Sequence, residues 1–181
     1  MEEKCAHHVL FCGYFLLPKL RGPVTIDLMK SAHARGSLIW FDTGWDPDDW
    51  DRETVAEIYG ILPHVDVFVP NEDEARTLTG VEDPAQQVTR LIGAGARQVI
   101  IKLGDKGALA ATAKEMVHVP GRTVEVKDTT GAGDVFNAGC LYGMIREWTT
   151  EKMLEFANSL AACYISSAPR RFPFLEDVRT S

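Results

Sequence analysis

Short apolar runs of strand length alternate with stretches of helical spacing through the first half of the chain, and that alternation leaves few folds open. His8–Leu16, Ser37–Asp42, Val65–Val69 and Gln98–Leu103 read as buried strands. Between them, Pro23–Arg35 places Val24, Ile26, Leu28, Met29 and Ala32 at helical intervals. Asp51–Leu62 reads as a helix capped by Asp49 or Asp51 and stopped before Pro63. Asn71–Thr79 is a helix stopped by Gly80, and Pro84–Ala94 is another with Pro84 in its first turn. Strands that are continuously apolar and separated by helices require a mostly parallel sheet with helices on both faces. Ligands of such sheets sit beyond the carboxyl ends of the strands.

The second half changes character. Ala108–Ala113 and Glu115–Val119 read as a hairpin pair around Lys114, and Thr123–Val126 leads into a polar loop. Ala132–Glu147 and Thr150–Ser167 read as two closing helices. No linker-like stretch divides the chain, so one domain over residues 1–181 is expected.

The polar loop is Asp128-Thr129-Thr130-Gly131-Ala132-Gly133-Asp134, running directly into the apolar Val135-Phe136-Asn137-Ala138-Gly139-Cys140-Leu141. A glycine loop opening a helix presents unpaired amide N–H groups and the positive end of the helix dipole, a place for an anion such as phosphate. Asp134 stands beside that place, where a carboxylate can take a proton from an attacking hydroxyl. The same residues also suit a plain loop, with the glycines at positive φ and Asp134 as a cap.

Other polar clusters fall at strand ends. Asn71 and Glu74 share a helical face and suit a capping box. Lys102-Leu103-Gly104-Asp105-Lys106-Gly107 makes a tight turn after a strand, in which Lys106 reads as a solvated turn lysine. Asn158, set among Ala157, Ala161 and Ala162, needs a partner if buried. Trp45, Trp50 and Phe41 read as cover for the sheet end.

A net charge of −7 gives no electrostatic footprint for nucleic acid. No apolar run reaches the length of a membrane span, and no secretory pattern opens the chain. Cys5, Cys12, Cys140 and Cys163 lack metal-site or disulfide spacing and read as reduced core thiols of a cytoplasmic protein.

The heptad Asp128–Asp134 resembles, residue for residue, the second signature of the PfkB carbohydrate kinases, the ribokinase-like family. The resemblance runs from about His7 to Ser167 and implies a three-layer α/β ribokinase-like fold. It implies ATP-dependent phosphorylation of a hydroxyl on a sugar or sugar-like molecule. In that reading Asp134 is the catalytic base, and Gly131, Ala132 and Gly133 form the anion hole. Asn71 and Glu74 match the family's N-x-x-E motif, which implies that they organise the phosphates and Mg²⁺, Glu74 through water. Lys102, Gly104, Gly107 and Asn158 are implied to lie near the nucleotide. The family also holds a monovalent cation, for which Asp128 and the Thr130 carbonyl would be ligands. The loop expected to complete that K⁺ site, Ser167-Ala168-Pro169-Arg170, departs from the family's Gly-Ala. Gly44 stands where members often carry the asparagine of D-x-N.

The match covers only the later part of the family pattern. The first strands, the glycine pair of the first signature and the lid have no counterpart before Val9, so an N-terminally truncated domain is expected. A truncated kinase, a short protein completed as a homodimer, and a catalytically silent nucleotide-binding module are the three readings open at this point. A vitamin kinase of the same superfold is the enzymatic rival, and the D-T-T-G-A-G-D form looks more like the sugar branch.

Overall fold

A computed structural model describes residues 6–46, 50–169 and 171–179. Its strands are β1 (His8–Phe11), β2 (Leu38–Phe41), β3 (Val67–Phe68), β4 (Gln98–Lys102), β5 (Ala108–Thr112) and β6 (Met116–Val119). Their order in the sheet is their order in the chain. The helices are α1 (Pro23–His33), α2 (Arg52–Ile61), α3 (Glu72–Thr79), α4 (Pro84–Gly93), α5 (Ala132–Ile145), α6 (Thr150–Ser166) and α7 (Leu175–Arg179). The chain groups into two compact units: Met1–Ile101 with Ala111–Glu115, and Lys102–Ala110 with Met116–Ser181.

In the first unit β1 to β4 run parallel, with Phe11 opposite Phe41, Phe41 opposite Phe68 and Phe68 opposite Val99. The helical crossovers between them are what parallel strands require. Ile39, Trp40 and Phe41 are all 0% exposed, as are Val99, Ile100 and Ile101. Burial of consecutive residues means that both faces of these strands are covered, as the unbroken apolar runs predicted.

Two strand boundaries differ most from the sequence expectation. The apolar run from His8 stops pairing at Phe11, and Tyr14–Leu16 forms a 3₁₀ turn instead. Tyr14 explains it: its hydroxyl donates to Glu57 Oε1 (2.7 Å) and accepts from Gly22 N (2.6 Å), drawing this segment onto α2. Strand β3 is only two residues long. Just before it, the Asp66 carboxylate takes the place of a ladder carbonyl and accepts from Ile39 N at 2.7 Å. His33 Nε2 (2.7 Å) and Arg97 Nη1 (2.9 Å) close around that carboxylate, so the buried charge is compensated. Asp51 is the cap of α2, accepting from Thr54 N at 2.7 Å, while Asp49 lies outside the described residues.

The second unit holds β6, α5, α6 and α7. Thr123–Val126 forms no strand, and α7 has no counterpart in the sequence reading. Helices α5 and α6 lie against each other through small residues. A Cβ on Gly139 would come 2.8 Å from the Ala157 Cα, and one on Gly143 would come 2.7 Å from Met153 Cγ.

The reading of the cysteines as core thiols holds for Cys140 alone among the described ones. Cys140 is buried, and burial pushes its thiol well above the ordinary range. Cys12 is exposed and Cys163 half-buried, because β1 ends one residue before Cys12 and α6 turns Cys163 towards α7. Cys5 lies outside the described residues. No helix among the described residues is long and apolar enough to cross a membrane.

Candidate active site

The heptad opens α5 as the glycine pattern predicts. Gly131 is the N-cap with φ 83° and ψ 1°, a left-handed conformation that strains any residue with a Cβ. It offers no side-chain oxygen, and no side chain caps this helix. Ala132 N donates to the Thr129 carbonyl at 3.0 Å, which leaves the Gly133 and Asp134 amides of the first turn to face solvent or a ligand at the positive end of the dipole. Asp134 lies in that first turn and is exposed. The plain reading of Asp134 as a cap is not what the backbone adopts, since the N-cap is Gly131.

Two polar tips flank the loop. A Cβ on Gly133 would stand 3.4 Å from Lys102 Nζ, and one on Gly131 would stand 3.1 Å from the Tyr164 hydroxyl. Lys102 thus comes from the end of β4 to the first turn of α5. Tyr164, from α6, was not singled out in the sequence. Its only signal there was a phenol following an alanine-rich stretch; the Phe172 ring stacks on it at 5.4 Å.

The turn after β4 is a backbone device. Gly104 (φ 63°) and Gly107 (φ 94°) both lie at positive φ, and Leu103 N donates to the Gly107 carbonyl at 2.8 Å. Gly107 presses on Val119–Gly121 so closely that a Cβ there would overlap the Val119 carbonyl oxygen. Asn158 holds the same stretch from the other side, its Nδ2 donating to the Val119 and Pro120 carbonyls at 3.2 Å each. The partner that a buried asparagine needs is therefore the backbone of this loop.

At the other end of the heptad, Asp128 Oδ1 accepts from Thr130 N at 2.8 Å, and both residues are exposed. Lys127 N and Asp128 N both donate to the Ile165 carbonyl, at 2.8 and 3.3 Å. These bonds tie the heptad to the last turn of α6, next to Ser167-Ala168-Pro169; Arg170 lies outside the described residues.

In the first unit, Asn71 and Glu74 form a complete capping box. Asn71 Oδ1 accepts from Glu74 N, and Glu74 accepts from Asn71 N on one oxygen and Asn71 Nδ2 on the other, all at 2.8 Å. Glu74 is 2% exposed, so its carboxylate is ordered before any ligand arrives. Asp42 accepts from Gly44 N at 3.1 Å and is buried. Phe41 stacks on Phe68 at 5.8 Å, while Trp45 meets Trp50 edge-on at 6.0 Å. No group of three or more His, Cys, Asp or Glu among the described residues could hold a metal ion. A divalent cation here would rely on a ligand's phosphates and water, as Mg²⁺ commonly does.

Comparison with known proteins places this geometry in context. The model of the pfkB family carbohydrate kinases matches residues 2–176. The ATP-dependent 6-phosphofructokinase of Thermoanaerobacterium thermosaccharolyticum is 32% identical over 127 residues, covering 69% of this chain and 39% of its own. The 2-dehydro-3-deoxygluconokinase of Haemophilus influenzae is 30% identical over 155 residues, 83% of this chain and 49% of its own. The fold is shared with the Vibrio cholerae O395 fructokinase in its fructose-, ADP- and calcium-bound form, at TM-score 0.80 and 23% identity. That superposition covers 96% of this chain and 59% of the fructokinase. The chain thus spans less than half the length of these two curated relatives.

Proposed function

Because the chain belongs to the pfkB family of carbohydrate kinases, we propose that it transfers the γ-phosphoryl group of ATP to a hydroxyl of a sugar or sugar-like molecule. The observation that carries this reading is Asp134 exposed in the first turn of a helix that no side chain caps. In the proposed step the Asp134 carboxylate takes the proton of the acceptor hydroxyl. The freed oxygen bonds to the γ-phosphorus as the bond to the β-phosphate oxygen breaks and ADP leaves. Gly131, Ala132 and Gly133 provide the amides and the dipole that meet charge spreading over the phosphoryl oxygens. Asn71 and Glu74 would hold, through water, a Mg²⁺ ion on the ATP phosphates, which would supply neutralisation of the phosphate charge. Gly104, Gly107 and Asn158 shape the nucleotide side. Asp128 and the Thr130 carbonyl are the ligands this reading assigns to a monovalent cation. A cytoplasmic setting belongs to the same proposal.

The fructose and ADP held by the Vibrio fructokinase support this choice of substrate classes, as does the sugar-kinase naming of the curated relatives. The test is ADP release by the chain with ATP·Mg²⁺ across a panel of hexoses, pentoses, sugar phosphates and nucleosides. Turnover dependent on one class of acceptor is the expected result. Tight ATP·Mg²⁺ binding without turnover on any member would replace the kinase by a silent nucleotide-binding module.

Lys102 gives a second test of the same site. Its ammonium lies beside Gly133, where a charge-assisted bond to phosphate contributes about 1.5–3 kcal/mol. Lys102→Met is expected to weaken ATP·Mg²⁺ binding by roughly 10- to 100-fold in calorimetry. An unchanged Kd would remove Lys102 from the phosphate site.

A further inference from the structure

A cavity of about 350 Å³ opens in the second unit at the C-terminal end of α5, lined by none of the residues assigned above. It falls within the size range of small-molecule sites. The anion hole lies at the other end of α5, and 14 helical residues separate the two by roughly 20 Å. Asn158 is not among its lining residues; the face of α6 that lines it carries Lys152, Glu155, Phe156 and Ser159.

Its chemistry is unlike the rest of this acidic chain. Arg122, Arg146 and Lys152 line it against a single carboxylate, Glu155. Arg122 and Arg146 are exposed, and neither guanidinium has an ion-pair partner among the described residues. Lys152 Nζ lies 4.5 Å from the centre of the Trp148 ring, a cation–π contact between two lining residues. Trp148, Tyr142 and Phe156 form a closed aromatic cluster in the lining, with ring centres 5.3 to 5.5 Å apart. Leu175 and Val178 of α7 add an apolar wall.

We propose that this cavity binds a small phosphomonoester of a ring compound, a class that includes nucleoside monophosphates and phosphosugars. Two guanidiniums and an ammonium among the lining side chains match a dianionic phosphate, for which arginine forks have the right bidentate geometry. The aromatic floor matches a flat or amphipathic ring body. An uncharged ligand would leave three cations facing the one carboxylate of Glu155, and a bare anion would leave the aromatic rings wet. The site is for binding only, and it stands independently of the kinase reading.

Trp148 is the reporter, because Trp40, Trp45 and Trp50 all belong to the first unit. The full chain is titrated with AMP, ribose 5-phosphate, adenosine and inorganic phosphate while tryptophan emission is followed, with Trp148→Phe as the signal control. AMP or ribose 5-phosphate is expected to change Trp148 emission saturably, and Arg146→Ala or Arg122→Ala to weaken that response at least tenfold. Both guanidinium positions are exposed, so neither substitution threatens folding. Lys102→Met is expected to leave the response intact. A response to AMP alone identifies the nucleotide source, and an equal response to ribose 5-phosphate identifies the phosphosugar. The proposal fails if only inorganic phosphate or adenosine acts, if the arginine variants respond like the parent, or if Lys102→Met abolishes the signal.

Discussion

Replacing Asp134 with asparagine is expected to lower kcat by about 10²–10⁴, the usual contribution of a general base, with ATP·Mg²⁺ affinity little changed. The substitution keeps the side-chain volume and leaves Gly131 as the N-cap, so the glycine loop keeps its shape. What it removes is the proposed proton acceptor. A small loss of helix stability accompanies it, since a carboxylate near a helix N-terminus is worth about 0.3–1 kcal/mol. The two effects separate cleanly: single-turnover phosphoryl transfer reports the first, and a denaturant midpoint reports the second. Turnover equal to the parent's would take Asp134 out of the chemistry and return it to a surface role.

Gly107→Ala is expected to destabilise the chain by about 3 kcal/mol and to weaken nucleotide binding at the same time. Gly107 has φ 94° and ψ −127°, a region that residues with a Cβ avoid at a cost of about 1–3 kcal/mol. The added methyl would also overlap the Val119 carbonyl oxygen, and relieving such overpacking typically costs another 1–3 kcal/mol. The obstruction is backbone, so no rotamer change can clear it. Val119 and Pro120 would have to shift, and the two hydrogen bonds from Asn158 would lengthen with them. Urea denaturation and ATP·Mg²⁺ calorimetry on one sample measure both losses. An unfolding free energy within about 0.5 kcal/mol of the parent's, the ordinary range for an inconsequential surface change, would show that the Val119–Gly121 backbone yields readily to the added methyl.

The parts of this molecule legible in its sequence are those fixed by neighbours in the chain. Asn71 and Glu74 are three residues apart, and their capping box follows from that spacing alone. Gly131 and the apolar run after it announce the start of α5 in the same way. The buried strands β2 and β4 were legible because both of their faces are apolar. What sequence could not reveal depends on partners far along the chain. Asp66 reads as an ordinary polar residue between strand residues until Ile39, His33 and Arg97 are brought to it. Tyr14 reads as part of an apolar strand until Glu57 and Gly22 claim its hydroxyl. Tyr164 lies 33 positions from Gly131, and nothing local places its hydroxyl at the heptad. For Asn158 the sequence left a backbone bond and a nucleotide contact open together. The bond to Val119 and Pro120 exists, and it holds in place the very loop that Gly107 abuts.

The missing side chains of Gly139 and Gly143 have a mechanical consequence. With Ala157 and Met153 already at contact distance, α5 and α6 have no slack to slide or tilt against one another. The heptad at the head of one and the asparagine midway along the other are therefore bolted to a common plate. On the proposed kinase reading, discrimination between acceptors falls to side chains that reach over the loop, with this pair of helices as a fixed anvil beneath them.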